Sequence, residues 1–190
     1  SRLCVETMVQ SLEKSAHKTP VSLFEEAVTA ANKAVFEESA SHVEYEGMGT
    51  TVVACTLEEN TLYIANIGDS RLYLIRDGIE QITDDHSLVE EMVKQGNITE
   101  SEARIHPQKN IITRALGINE EVQADFFEID VEQGDVIMLC SDGLSNMIED
   151  EDMEYIVKNS DTLQTAAESL VARANENGGN DNITVVLAEV

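Results

Sequence analysis

Residues 50–82 hold three short runs of β-branched and aromatic residues with no helical pattern between them. The runs read TTVVACTL, TLYIANIG and SRLYLIRDGIEQI, and the Asn-Thr, Gly-Asp and Asp-Gly pairs that punctuate them are typical of turns. Strands that follow one another this closely usually pair with their sequence neighbours. We therefore expect an antiparallel meander in this part of the chain.

Helical patterns stand before and after these strands. Apolar residues recur near helical spacing in residues 1–12 and on one face between Leu23 and Val35, where Ser22 and Glu25 fit a capping box. Further strands are expected at 124–128, 135–140 and 182–190, and further helices at 150–158 and 161–176. Because consecutive strands lack intervening helices, the order predicts an α+β layered domain rather than an alternating parallel sheet.

Residues 84–110 interrupt the strands with two short helical patterns. The second pattern follows a Thr99/Glu102 capping box, and the sequence HPQ comes after it. The segment is polar for its length. We interpret it as an insertion that lies on the surface.

Length and composition indicate the number of domains and the cellular compartment. A chain of 190 residues with 42% hydrophobic residues can bury one sizeable core, so we expect a single globular domain over residues 1–190. No apolar run is long enough to span a membrane, and no signal peptide opens the sequence. Cys4, Cys55 and Cys140 are widely spaced in apolar sequence, which favours reduced cysteines and a cytoplasmic protein.

The formal net charge is −25, with 12 Lys and Arg against 37 Asp and Glu. Such a field repels nucleic acids and acidic membrane surfaces, so we expect neither as a partner. Divalent cations and basic protein segments are the natural counterparts of this charge.

Three aspartates stand next to apolar strands. Asp69 follows LYIANIG, Asp142 follows VIMLCS, and Asp181 precedes ITVVL. A carboxylate at the end of a buried strand is costly unless a cation or hydrogen bonds compensate it, and cationic side chains are scarce here. Oxygen ligands of this kind suit Mg²⁺ or Mn²⁺ better than zinc. The alternative is that Asp and Gly at these places only form turns.

Six segments decide between these alternatives: EGMGTT, IGDSRLYLIRDG, QITDDHSLV, HPQKNIITRALG, LCSDGLS and GGNDNITVV. They occur in the order, and with roughly the spacing, of the metal-dependent Ser/Thr protein phosphatases of type 2C. The chain resembles the short bacterial members of this family over essentially its whole length. The resemblance implies a central sandwich of two antiparallel β-sheets flanked by helices, in αββα layers, with a Mg²⁺ or Mn²⁺ centre of two to three ions at one end.

The resemblance also implies roles for individual residues. Asp142 and Asp181 correspond to ligands of the second metal, and Asp69 corresponds to a ligand that shares a third, weaker metal with Asp142. Asn182 is expected to orient Asp181. The other expected neighbours of the ligands or of the flap are Ser141, Gly143 and Asn110; some relatives have a serine contact where Asn110 stands here.

The implied reaction is the hydrolysis of phosphoserine and phosphothreonine in proteins by a water molecule that the cations activate. Residues 84–110 correspond to the mobile flap beside the active site. The implied partners are phosphorylated proteins, including a Ser/Thr protein kinase, and we expect a monomer. The phosphate-binding residue stays unassigned.

The N-terminal part of the sequence departs from the pattern of this family. Family members begin with strands that carry RxxNED, whose Arg holds the substrate phosphate, and DGMGG, whose Asp bridges the metals; neither occurs in these residues. Ser1 and Arg2 align just beyond the second segment. We therefore expect an N-terminally truncated catalytic domain with part of the metal shell, and little or no turnover from these 190 residues alone. The competing hypothesis is a non-catalytic binding or sensing module on the same fold, or an inactive fragment.

Other polar residues receive weaker interpretations. Arg71 and Arg114 could contact phosphate, but pairing with carboxylates to fix loops is favoured. His106 could donate a proton, but a role in positioning its loop is favoured. The remaining histidines are interpreted as surface or cap residues: His17, His42 and His86.

Overall fold

The computed structural model describes residues 1–16 and 19–190, which fall into two units. The first unit consists of Ser1–Gly68 and His86–Ile129, and the second consists of Asp69–Asp85 and Asp130–Val190. The expected single domain and the flap role of residues 84–110 stay predictions.

Helices and strands follow one another in blocks along the described residues. The α-helices are α1 (Arg2–Lys14), α2 (Pro20–Ser41), α3 (Leu88–Lys94), α4 (Glu100–Arg104), α5 (Asp142–Ser145), α6 (Asp150–Lys158) and α7 (Leu163–Glu176). A 3₁₀ turn, Val43–Tyr45, follows α2. The strands are β1 (Val52–Glu58), β2 (Thr61–Ile67), β3 (Arg71–Ile75), β4 (Ile79–Gln81), β5 (Asp125–Asp130), β6 (Val136–Cys140) and β7 (Val185–Glu189).

Helices α1 and α2 supply much of the core of the first unit. Cys4 and Met8 of α1 are buried in one cluster with Ala27 and Ala31 of α2 and Ile67 of β2. The two helices expected at the start of the chain are confirmed. Their apolar stripes are recognisable because each helix buries one face only.

The start of α2 differs from the prediction. The helix begins at Pro20 with Thr19 as its N-cap, and no side chain completes a capping bond. Proline suits the first helical position because its missing N–H would have no partner there in any case. The predicted Ser22/Glu25 capping box is therefore wrong, and Ser22 instead accepts a hydrogen bond from the Thr19 hydroxyl.

The antiparallel meander is confirmed in two pairs and wrong in its middle link. Strands β1 and β2 pair antiparallel, as do β3 and β4. However, β2 belongs to a three-stranded sheet of order β1-β2-β5, whereas β3 belongs to a four-stranded sheet of order β4-β3-β6-β7. Strand β2 pairs with β5 on its second side, and β3 pairs with β6 on its second side. These strands from distant sequence occupy the positions in which β2 and β3 would have paired with each other in a meander.

Gly68 ends β2 at this change of sheet. The φ angle of Gly68 is +107°, a value that residues with a Cβ rarely adopt. A Cβ built on Gly68 would lie 2.2 Å from Cγ2 of Thr51. Glycine is therefore required both for the backbone conformation and for the close approach of Thr51.

Helices α6 and α7 cover the core of the second unit. Met153 of α6 and Leu170 of α7 are fully buried in a cluster with Tyr73 of β3 and Met138 of β6. Both helices lie close to their expected positions. Sequence reasoning missed α5, a single helical turn directly after β6.

The register of the four-stranded sheet aligns three chain segments at one end. Arg71 of β3 lies opposite Cys140 of β6, and Cys140 lies opposite Val185 of β7. The pairing is antiparallel, so the start of β3, the end of β6 and the start of β7 meet at the same end of the sheet, which we call the aligned edge. The residues just outside these strands are thereby brought together.

The insertion holds two short helices, as expected. Thr99 caps α4 by accepting from the main-chain N–H of Glu102, whose carboxylate accepts from the Thr99 main-chain N–H at 2.8 Å. This capping box is confirmed. It was recognisable because its contacts are local and need no tertiary partner.

The expected fold class is confirmed as α+β with two antiparallel sheets and helices. Cys4 and Cys140 are buried and Cys55 is half-buried, and all three are free thiols, as predicted. Within residues 1–16 and 19–190, no helix combines the length and the apolar character needed to cross a membrane.

A substitution at Gly68 tests the requirement at the end of β2. We expect Gly68→Ala to lower the free energy of unfolding by about 1 to 3 kcal/mol, because the new Cβ overpacks Thr51 and strains the backbone. Gly78→Ala is the matched control, since its Cβ would meet nothing within 4 Å. Chemical denaturation measures both variants, and equal stabilities would contradict the requirement.

Candidate metal centre

The three aspartates expected to bind metal all lie at the aligned edge of the four-stranded sheet. Asp69 stands just before β3, Asp142 directly follows Ser141 at the end of β6, and Asp181 stands shortly before β7. The second unit contains all three. The register of the strands therefore gathers residues that are far apart in sequence.

Burial and mutual repulsion act on these carboxylates, which we call the acidic cluster (Asp69, Asp142 and Asp181). Burial raises the pKa of Asp69 to about 6, and the charges of Asp142 and Asp85 add to this effect. Burial also raises the pKa of Asp142, and the charge of Asp181 adds to it. Asp142 thus lies within electrostatic range of both other members, and a bound cation would relieve the repulsion.

The side chains only partly fit the expected metal shell. In the described part of the chain, no three His, Cys, Asp or Glu side chains are grouped closely enough to hold one ion. The structure brings Asp142 near Asp69 and near Asp181, but it does not converge all three on a single point. The donors present are carboxylate oxygens, and one or two carboxylates completed by water are a typical shell for Mg²⁺. The donor chemistry therefore fits Mg²⁺ or Mn²⁺, while the assignment of the individual ligands stays a prediction.

Gly143 allows the loops of Asp142 and Asp181 to approach each other. A Cβ at Gly143 would lie 2.3 Å from the main-chain oxygen of Asn182, a distance that no side chain can occupy. Ser141 links the same two loops by hydrogen bonds. Its hydroxyl donates to the main-chain oxygen of Asn182 and accepts from the main-chain N–H of Thr184, both at 3.0 Å. These contacts hold the two aspartate loops side by side.

Main-chain and amide groups orient two of the carboxylates. The main-chain N–H of Asn182 donates to Oδ1 of Asp181 at 2.7 Å. The orienting contact expected of Asn182 thus runs through its backbone. Asn146, which sequence reasoning missed, donates from Nδ2 to Oδ2 of Asp142 at 3.3 Å. The spacing of Asp142 and Asn146 by one helical turn is the signal that could have identified it.

Arg71 lies beside the cluster but is already paired. Its guanidinium binds the carboxylate of Asp85, with Nη2 at 2.7 Å from Oδ2. The favoured interpretation of Arg71 as a loop-fixing residue is confirmed. Sequence reasoning missed Asp85 as its partner, because nothing in a linear sequence indicates which carboxylate an arginine meets.

In the first unit, Arg114 pairs with Asp125, as expected. The same carboxylate lies 3.0 Å from Nε2 of His86, whose Nδ1 accepts the main-chain N–H of Gly68 at 2.9 Å. His86 is buried, so its interpretation as a surface or cap residue is wrong. Hydrogen bonds at both ring nitrogens compensate the burial of the imidazole.

The other singled-out residues lie in loops or caps. His106 accepts the main-chain N–H of Gln108 at 3.1 Å, which fits the favoured loop-positioning role. His42 is an exposed cap between α2 and the 3₁₀ turn, and His17 lies outside the described residues. Asn110 is exposed in a turn, and its metal or flap role stays a prediction.

Comparisons with known proteins place the chain in a family. Residues 1–188 match the family model described as protein phosphatase 2C. The chain is 42% identical over 166 residues to the serine/threonine phosphatase stp of Listeria monocytogenes, an alignment that covers 87% of this chain and 66% of that protein. The chain therefore belongs to the protein phosphatase 2C family.

Solved structures agree with this placement. The serine/threonine phosphatase Stp1 of Staphylococcus aureus superposes with a TM-score of 0.95 at 32% identity, over 100% of this chain and 76% of that chain. The catalytic domain of the serine/threonine protein phosphatase PstP, in complex with two manganese ions, superposes with a TM-score of 0.88 at 34% identity. That alignment covers 100% of this chain and 79% of the PstP chain. The chain thus spans less than two thirds of the curated Listeria relative and a larger part of the crystallised domains.

The raised pKa of Asp69 predicts a pH-dependent stability in the absence of divalent cations. The folded-state value of about 6 exceeds the ordinary value of 3.8, so the folded chain holds this proton more tightly than the unfolded chain. The resulting stabilisation is complete below about pH 4 and is lost as the pH rises through 6. As the pH rises from 4 to 7, we expect the melting temperature of Asp69→Asn to fall less than that of the wild type.

Thermal melts followed by circular dichroism in the presence of EDTA measure this difference. Asp161→Asn, which removes one exposed carboxylate before α7, is the matched control and should follow the wild type. A wild-type pH profile in Asp69→Asn would contradict the prediction.

Proposed function

We propose that the protein is a metal-dependent phosphatase that removes phosphate from phosphoserine and phosphothreonine residues of proteins. The observation that carries the proposal is the acidic cluster at one edge of the four-stranded sheet, whose nearest arginine is committed to Asp85. Membership of the family, in which relatives bear the name serine/threonine phosphatase, supports the choice of reaction.

The cofactor proposed for the centre is Mg²⁺ or Mn²⁺, two to three ions in the complete enzyme. Such a cation, when bound, polarises phosphoryl oxygens and lowers the pKa of a water ligand. The manganese ions in the similar PstP domain support this choice.

The residues of this chain have holding and orienting roles in the proposal. Asp142 and Asp181 are proposed to hold one cation, and Asp69 with Asp142 a further, weaker one. Asn146 fixes one oxygen of Asp142 by its hydrogen bond. Gly143 keeps the two aspartate loops in contact, because any side chain there would collide with the backbone of Asn182.

Phosphorylated proteins, among them a Ser/Thr protein kinase, are the proposed partners, and the protein is proposed to act as a cytoplasmic monomer. The net charge of −25 supports basic segments around the phosphorylated residue and opposes nucleic acids. The free cysteines are compatible with a reducing compartment.

The competing proposal is a non-catalytic binding or sensing module on the same fold. The observation that favours it is the lack, among the described residues, of three side chains grouped for one ion. Metal binding and turnover separate the two proposals, since a module of this kind requires neither.

Calorimetry with Mn²⁺ tests the centre directly. We expect weak binding by the wild-type chain and loss of the measurable heat in Asp142→Asn, because Asp142 is the member that lies near both others. Asp161→Asn should bind as the wild type does. Equal heats from the wild type and Asp142→Asn would remove Asp142 from the centre.

Phosphate release from a phosphothreonine peptide tests the reaction. We expect the full-length gene product to be active with Mn²⁺. The activity of Asp142→Asn should fall by at least about 10- to 100-fold, which is the typical cost of losing only an outer-shell partner of a metal ligand. Mn²⁺-independent activity, or full activity of Asp142→Asn, would contradict the proposed mechanism.

A further inference from the structure

Arg71 and Asp85 form a rigid ion pair in the second unit. Nε of Arg71 donates to Oδ1 of Asp85 at 2.9 Å and Nη2 donates to Oδ2 at 2.7 Å, so the planar guanidinium meets both carboxylate oxygens. The side chains are only 21% and 12% exposed. A bidentate pair with this little solvent contact has a fixed geometry.

Arg71 is also held from its other side. Its Nη1 donates to the hydroxyl of Tyr73 at 2.9 Å, and Tyr73 is completely buried in the core. The Tyr73 hydroxyl in turn lies 3.4 Å from Oδ1 of Asp150, at the start of α6. The guanidinium therefore cannot turn away from Asp85 without breaking a second, partly buried hydrogen bond.

The loop that carries Asp85 is anchored to the same strand. The buried hydroxyl of Thr83 accepts the main-chain N–H of Leu72 at 3.0 Å. Gln81 donates to the main-chain oxygen of Thr83 at 2.6 Å and to Oδ1 of Asp85 at 3.3 Å. These contacts place the carboxylate independently of the ion pair itself.

The pair acts electrostatically on the acidic cluster. Arg71 begins β3 two residues after Asp69, and it lies opposite Cys140, two residues before Asp142. At this short separation the charge of Asp85 raises the pKa of both Asp69 and Asp142, whereas the charge of Arg71 lowers both. The two charges act in opposite directions on the cluster, and the effect of Asp85 is the larger on both carboxylates. Removing one partner would leave the other as an uncompensated charge beside the carboxylates.

We propose that the ion pair of Arg71 and Asp85 sets the affinity of the acidic cluster for a divalent cation. The inference rests on the proposed metal centre and goes beyond it, because neither partner is a proposed ligand. Arg71 keeps the oxygens of Asp85 engaged, and Asp85 keeps the charge of Arg71 from repelling a cation. Both are positioning residues that fix the net charge at this edge of the sheet.

Opposite effects of the two single substitutions test the proposal. Asp85→Asn leaves the positive charge of Arg71 beside the cluster, so we expect the Mn²⁺ dissociation constant to rise by about threefold or more. Arg71→Gln leaves the negative charge of Asp85, so we expect the constant to fall by a similar factor. Calorimetry on the full-length gene product measures both, with Asp161→Asn as the control for one lost surface charge.

Two further variants distinguish charge from damage to the fold. The double variant Arg71→Gln/Asp85→Asn restores charge balance, so its constant should lie between those of the two single variants and close to that of the wild type, whereas damage to the fold would accumulate. Arg71→Lys retains the charge without the bidentate geometry, and it should lie closer to the wild type than Arg71→Gln does. The differences should persist at high salt, because charges with this little solvent contact are screened only weakly.

The outcomes separate this inference from the proposed function. Absence of Mn²⁺ binding by the wild type would overturn the metal centre and the inference with it. Binding by the wild type combined with shifts of the same sign in both single variants, or with no shift in either, would overturn the inference alone. Shifts of opposite sign that cancel in the double variant would establish it.

Discussion

The antiparallel register of β3, β6 and β7 is the constraint on which the candidate metal centre depends. Arg71, Cys140 and Val185 lie in one row across the sheet, so the loops that flank them meet at one edge. A shift of one residue in either pairing would turn the side chains of a strand to the opposite face and separate these loops. The buried core beneath the sheet fixes this register, because it admits only one set of inward-facing side chains.

Electrostatics at this edge follows from the same register. The charge of Asp142 raises the pKa of Asp69, and the charge of Asp181 raises the pKa of Asp142. The neighbouring cation, Arg71, is engaged with Asp85. In our proposal, this repulsion favours a divalent cation at the edge, and the ion pair sets the affinity for it. Packing of the sheet and affinity for metal are thus linked through a few charged groups.

Local signals predicted the elements well. The helices, the paired strands β1 and β2, and the Thr99 capping box all depend on contacts between residues that are near in sequence. Errors arose where a distant partner decided the outcome. The link between β2 and β3 failed because strands from elsewhere pair with each of them, and His86 was misjudged because Asp125 and the backbone of Gly68 bury and bind its ring.

The sequence by itself determined the fold class, the family and the identity of the acidic residues, since periodicity, turn residues and the order of motifs are properties of the chain. Only the tertiary structure decided which carboxylates face one another and which one Arg71 neutralises. It also showed that Asp142 lies near both other aspartates while the three do not converge on one point. The physical reason is that strand register and side-chain packing set Coulomb interactions over a few ångströms, a scale that sequence spacing does not encode.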